Sequence, residues 1–182
     1  MEIITTPIDG LLIIKPKVYE DSRGFFFEAY HRERYREAGI KLDFRQDNFS
    51  KSTYGVVRGL HYQLCPHSQA KLVAAVVGTV WDVAVDLRIG SPTFGQWYGV
   101  ELSAENKLQF LIPQGFAHGF SVLSPVAVFS YKCDDYYSPG HERGILYNDP
   151  ALNIDWMLPV NDILVSEKDK IHPLFADAEK IG

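Results

Sequence analysis

Apolar and polar residues alternate with period two along much of this chain. Over residues 80–88, Trp81, Val83, Val85 and Leu87 share one side, and Asp82, Ala84, Asp86 and Arg88 share the other, which predicts a half-buried strand. Residues 71–77 before it are almost continuously apolar, and Gly78-Thr79 between the two runs reads as a hairpin turn. Strand-like runs continue over 96–103, 109–112, 118–123 and 127–133, separated by turn chemistry at Ser91-Pro92, Ala104-Glu105-Asn106, Pro113-Gln114-Gly115 and Ser124-Pro125. Earlier runs at 11–19, 24–30, 44–50 and 56–63 look alike. The one clear helix covers 31–38, charged nearly all round and stopped by Gly39, and a second short helical start follows Ser166. Short strands at roughly 8–12-residue spacing, with almost no crossover helix, predict an all-β antiparallel sandwich or barrel with peripheral helices. A jelly roll has enough strands and suits a pocket inside one sheet.

The 182 residues, 46% of them hydrophobic, fit one domain over 1–182. A net charge of −5 argues against a general nucleic-acid footprint, which needs a basic balance. No apolar run nears the roughly 18 residues of a membrane span; Gly78, Thr79 and Asp82 interrupt the longest. Met1-Glu2-Ile3 lacks the basic start of a signal peptide, and Cys65 and Cys133 form no CxxC pair, so a cytoplasmic protein with reduced thiols is expected.

Several polar residues interrupt strand-forming sequence. Arg58-Gly59-Leu60-His61-Tyr62-Gln63 sets a cation and an imidazole in one run, Lys71 opens the most apolar strand, and His118 alternates with Phe116 and Phe120. Tyr131 shares a face with Phe129 and Cys133. An inward face with His118 and Tyr131 is either a satisfied polar core or a lined cavity. Each residue also has an ordinary structural role available: hydrogen-bonded strand histidines, a core tyrosine with its hydroxyl at the rim, a lysine snorkelling from a sheet edge, and Arg23-Gly24 as a turn. Ser166-Glu167-Lys168-Asp169 fits a capping box in which Asp169 only caps a short helix.

Metal binding is a specific alternative, because Pro113-Gln114-Gly115-Phe116-Ala117-His118 matches part of the second cupin motif. The first motif wants two histidines one residue apart and a glutamate. Here it reads His61-Tyr62-Gln63, with no glutamate between Glu37 and Glu101. Two histidines without a third ligand fall short of a transition-metal site, so none is expected.

Together the segments resemble the dTDP-4-dehydrorhamnose 3,5-epimerase family. The resemblance runs in order through Asp21-Ser22-Arg23-Gly24-Phe25-Phe26-Phe27-Glu28, Gln46-Asp47-Asn48-Phe49-Ser50, Arg58 to Gln63 and Gln69-Ala70-Lys71-Leu72-Val73. It continues through Asp82 to Arg88, Ser91-Pro92-Thr93-Phe94-Gly95, Pro113 to Phe120 and Tyr136-Tyr137-Ser138-Pro139. Ala74 and Ala75 depart from it, since family members often carry Arg and another larger residue there. The resemblance implies a cupin-like jelly roll, a homodimer, no metal or organic cofactor, and inversion of C3 and C5 of dTDP-4-dehydro-6-deoxy-glucose. A relative epimerising C3 alone and a noncatalytic nucleotide-sugar binding module are the alternatives.

That chemistry needs a base, an acid across the ring and a cation or donor for the enolate oxygen. By resemblance His61 is the base, Asp169 its acidic partner, Tyr131 the proton donor on the other face and Lys71 the enolate-stabilising cation. Arg23, Glu28, Gln46, Asp47, Asn48, Arg58, His118, Tyr137, Glu142 and Lys168 match positions that bind base, sugar or diphosphate, with Tyr137 stacking on thymine. In a regular strand Arg58 and His61, three apart, face opposite ways; a bulge at Gly59 is therefore expected.

Overall fold

The computed structural model describes residues 1–181. The alternating runs form β1 (Glu2–Thr5), β2 (Leu12–Lys15), β3 (Tyr19–Asp21), β4 (Gly24–Phe26), β5 (Gln46–Thr53), β6 (Val56–Gln63) and β7 (Lys71–Val77). They continue as β8 (Thr79–Asp86), β9 (Trp97–Ser103), β10 (Gln109–Ile112), β11 (Phe116–Val122), β12 (Val126–Cys133), β13 (Glu142–Gly144) and β14 (Leu164–Val165). The helix α1 (Arg32–Glu37) is capped by His31, whose ring accepts from the Arg34 N–H.

One sheet has the order β1-β2-β10-β7-β12-β5 and the other β13-β6-β11-β8-β9, while β3 and β4 form a separate hairpin. The two sheets stack as a jelly roll. Their facing sides share one core, with Val73, Phe110 and Phe129 from the first sheet against Ala84, Phe116 and Phe120 from the second. The C-terminal segment covers the far side of the second sheet, packing Ile145, Leu152, Trp156 and Ile181 against Val57, Leu60, Val83 and Leu87.

The two packings together correct the expected half-buried strand: the C-terminal segment covers the side of Val83, Val85 and Leu87, and the first sheet the side of Ala84. Both sides of β8 are enclosed, and Asp82 and Asp86 are fully buried. Asp86 accepts from Arg88, Ser91 and Thr93, so this part of the family-like sequence serves the scaffold. Gly78-Thr79 is likewise no hairpin: β7 pairs with β10 and β12, whereas β8 pairs with β11 and β9, so the chain turns from one sheet into the other. Gly78, at φ +74°, leaves room for the Val126 carbonyl oxygen, which a Cβ would approach to 2.1 Å. The pairing of β14 departs from the antiparallel expectation, since it runs parallel to β6.

The expected bulge is present. His118 pairs with His61 and Phe120 with Arg58, so three steps on β6 oppose two on β11. The extra residue turns Arg58 and His61 to the same side. Gly59 permits it: its φ is +121°, and a Cβ there would lie 2.6 Å from Gly119 Cα and 2.7 Å from the His118 carbonyl oxygen. Gly59→Ala is expected to cost at least about 2 kcal/mol and lower Tm by roughly 4–8 °C. Thermal unfolding followed by circular dichroism tests this, and an unchanged Tm would contradict it.

Candidate active site

Between the sheets lies a cavity of about 370 Å³. β5 contributes Gln46, Asn48 and Ser50, β6 Arg58, His61 and Gln63, β7 Lys71, β11 His118, and β12 Phe129, Tyr131 and Cys133; Tyr137 and Glu142 also line it. His61 and His118 thus belong to one sheet, and Lys71 and Tyr131 to the other.

His61 Nε2 lies 2.7 Å from Asp169 Oδ1. With Nε2–H donated to the carboxylate, Nδ1 is the ring nitrogen left to take a proton. Asp169 is itself held by the C-terminal segment, its N–H donating to Ser166 Oγ at 3.1 Å. Its carboxylate is directed at His61 rather than completing the alternative capping box. Burial alone would raise the Asp169 pKa, but the hydrogen bond and charge of His61, with help from Gly59 and Ser166, hold it at about 2.

On the opposite sheet, burial pushes the Lys71 ammonium pKa down, while Cys133 and Asp134 act the other way. Lys71 makes no ion pair among the described residues, and its side chain lines the cavity. Tyr131 is raised above its ordinary value, first by burial and then by Cys133 and Glu142, against Arg58. Its phenol is therefore protonated at neutral pH. Across from it, His118 Nε2 donates to both oxygens of Asp82, at 3.0 and 2.9 Å. Burial raises Asp82 while His118 opposes that.

At the mouth, Arg58 Nε donates to Ser52 Oγ at 3.0 Å, which fixes an otherwise exposed guanidinium. Tyr137 OH donates to Glu142 at 2.8 Å, its N–H donates to Gln46 Oε1, and Lys168 pairs with Glu142 at 2.6 Å. The partners on Glu142 overcome burial and lower its pKa.

Three residues singled out from the sequence lie elsewhere. Asp47 points outward because β5 alternates, and pairs with Lys132 at 2.8 Å. Arg23 and Glu28 belong to the hairpin region away from the cavity, where Arg23 pairs with Asp21 and Glu28 with Arg34. Sequence reading also missed Asp82, Ser50 and Ser52. Ser50 Oγ is buried and finds no partner among the described residues, and it lines the cavity. The alternation Gln46, Asn48, Ser50, Ser52 was the available signal for both serines.

The residues do not fit a cupin metal. His61 and His118 are cross-strand neighbours, but each Nε2 is bound to its own carboxylate, and Gln63 spends its amide on the His67 carbonyl and the Ser138 N–H. His61, Asp169 and His172 bring ligand-type atoms within 4.8 Å of one another, with both imidazoles already bonded to the carboxylate.

The family model described as dTDP-4-dehydrorhamnose 3,5-epimerase matches residues 5–177. The chain belongs to this family. An epimerase of that name from Shigella flexneri is 56% identical over 180 residues, covering 98% of each chain. The crystal structure of the Elizabethkingia anophelis enzyme superposes with a TM-score of 0.93 at 55% identity, covering 97% of both chains. That of the Legionella pneumophila dTDP-6-deoxy-D-glucose-3,5-epimerase, in complex with dTDP-4-keto-L-rhamnose, also has a TM-score of 0.93, at 56% identity over 97% of this chain and 93% of that one. These relatives bear out the expected cupin-like jelly roll and the family resemblance.

The depressed Asp169 carboxylate has a consequence for stability. Its pKa falls from 3.8 to about 2 on folding, so its contribution is complete above about pH 4 and is lost as pH falls through 2. The stability gap between wild type and Asp169→Asn, measured by denaturant unfolding, is expected to be open at pH 6 and to close over that window. A gap independent of pH would contradict it.

Proposed function

We propose that this chain inverts C3 and C5 of dTDP-4-dehydro-6-deoxy-D-glucose, giving dTDP-4-dehydro-L-rhamnose for L-rhamnose biosynthesis. The observation that carries this reading is the opposition, across one cavity, of a carboxylate-backed imidazole on one sheet and a lysine with a protonated phenol on the other.

The C4 ketone acidifies the hydrogens on C3 and C5. His61 Nδ1 removes one as a proton, and the electron pair moves into an enolate whose oxygen Lys71 stabilises in a low-dielectric site. Asp169 stabilises the imidazolium so formed. Tyr131 then protonates the carbon from the opposite face, and exchange with water restores both His61 and Tyr131. A second round inverts the other centre. Every step is a proton transfer that these side chains can carry by themselves.

Arg58, Gln46, Asn48 and His118 suit the phosphate and sugar oxygens, with the guanidinium fork offsetting the charge of a diphosphate. Tyr137, with Glu142 and Lys168 behind it, suits stacking on thymine at the rim. The protein acts in the cytoplasm as a homodimer in which Arg23 and Glu28 complete the neighbouring cavity. The exposed Tyr19, Phe25 and Phe26 of their hairpin, 53%, 58% and 65% accessible in the single chain, support such a contact.

The decisive experiment incubates the substrate with protein in deuterium oxide and locates the label by mass spectrometry. Uptake at C3 and C5 is expected; uptake at C3 alone would move the chain to the monoepimerases, and none would leave only binding. His61→Ala is expected to lower turnover by at least about a thousandfold while dTDP affinity in calorimetry stays within about threefold. Sedimentation is expected to give a dimer, and Arg23→Ala to raise KM; a fully active monomer would contradict the shared site.

A further inference from the structure

The segment after Ser166 ends in a single turn of 3₁₀ helix, Asp169–Ile171, followed by His172 and Pro173. Three residues per turn bring positions i and i+3 to the same side. Asp169 and His172 therefore project together, and the Leu146 N–H ties the turn down by donating to the Pro173 carbonyl at 2.9 Å. The His172 ring occupies the space left by Gly144, the residue paired with His61 across β13 and β6. A Cβ on Gly144 would come within 2.4–2.5 Å of three ring atoms. The two imidazoles meet edge to face, with centres 5.7 Å apart and planes at 80°.

His172 Nε2 lies 3.3 Å from Asp169 Oδ1, the oxygen that His61 Nε2 approaches to 2.7 Å. The other oxygen faces the Gly59 N–H at 3.5 Å, a long contact. A carboxylate rotates easily about its last side-chain bond, so one strong partner does not fix its plane. His172 is mostly buried and does not line the catalytic cavity.

We propose that His172 is a positioning residue for the epimerisation: its Nε2–H donates a second hydrogen bond to Asp169 Oδ1, fixing the carboxylate so that His61 turns Nδ1 to the sugar. The inference rests on reading His61 and Asp169 as base and partner. Burial, followed by the nearby His61, lowers the His172 pKa, so a neutral ring leaves the Asp169 charge to the imidazolium that forms on His61. Of the two nearby lysines, Lys168 is engaged by Glu142 and Lys170 by Glu167.

Three variants test the role through label uptake at C3, dTDP affinity and Tm. His172→Phe keeps a ring over Gly144 without the donor, His172→Gln keeps an amide donor at the reach of Nε2, and His172→Asn keeps the amide but falls short. The Phe and Asn variants are expected to lose about tenfold or more in kcat, with KM and dTDP affinity within about twofold, and Gln to recover most of kcat. If Phe does not fold, the contrast between Gln and Asn carries the test alone. Equal kcat in all variants, or equal losses in Gln and Asn, would overturn the proposal. Exchange that is abolished in His61→Ala but untouched in His172→Phe sinks only this inference; exchange that survives in His61→Ala sinks the reading of the base itself.

Discussion

The close approach of two glycines, Gly59 on β6 and Gly119 on β11, is the contact on which the candidate site depends. Their backbones pack where any side chain would collide, and that allows β6 to carry one residue more than its neighbour. Without the extra residue, a period of two would send Arg58 and His61 to opposite sides of the sheet. With it, the guanidinium and the imidazole enter the same cavity beside His118 and Phe120. A backbone feature with no chemistry of its own thus brings the guanidinium and the carboxylate-backed imidazole together.

The second constraint is electrostatic. Ionisable groups between two packed sheets are costly unless each is paired or put to use. Asp169 is paired with His61 and stays ionised to low pH, while Asp82, fully buried under His118, is shifted the other way. Lys71 is the exception, an ammonium depressed by burial and without an ion-pair partner among the described residues. An unpaired cation inside a cavity is poorly placed for stability and well placed to meet a developing enolate charge. The oppositely shifted Lys71 and Tyr131 thus form one wall, and the two imidazole–carboxylate pairs the other.

Much of this was legible from local pattern. The strands over 56–63, 71–77 and 109–112 follow directly from apolar runs bounded by turn residues, because strand formation there needs only side-chain alternation and breakers. The inward direction of His118 and Tyr131 followed from their phase with Phe116, Phe120, Phe129 and Cys133. Pattern failed where the answer lay in another part of the chain. Asp82 and Asp86 look solvent-facing because alternation reports polarity and not what covers it; their side, shared with Ala84, faces the core between the sheets, while the C-terminal segment takes the apolar side of Val83, Val85 and Leu87. Gly78-Thr79 resembles a hairpin turn because turn chemistry is local, whereas the choice of strand partner is not.

The sequence by itself determined the all-β class, most strand positions and the bulge needed at Gly59, which follow from residue type and spacing, while the candidate acid, base and cation came from the family resemblance of its motifs. Only the tertiary structure decided that Asp169 turns to His61 instead of capping its own helix, that His172 shares the same carboxylate oxygen, and that Asp47 faces away from the cavity. The first two pairings span most of the chain or rest on space left by a glycine on another strand. Distances of that kind are set by how the sheets stack and where the C-terminal segment lies across them, which no local pattern of residues encodes.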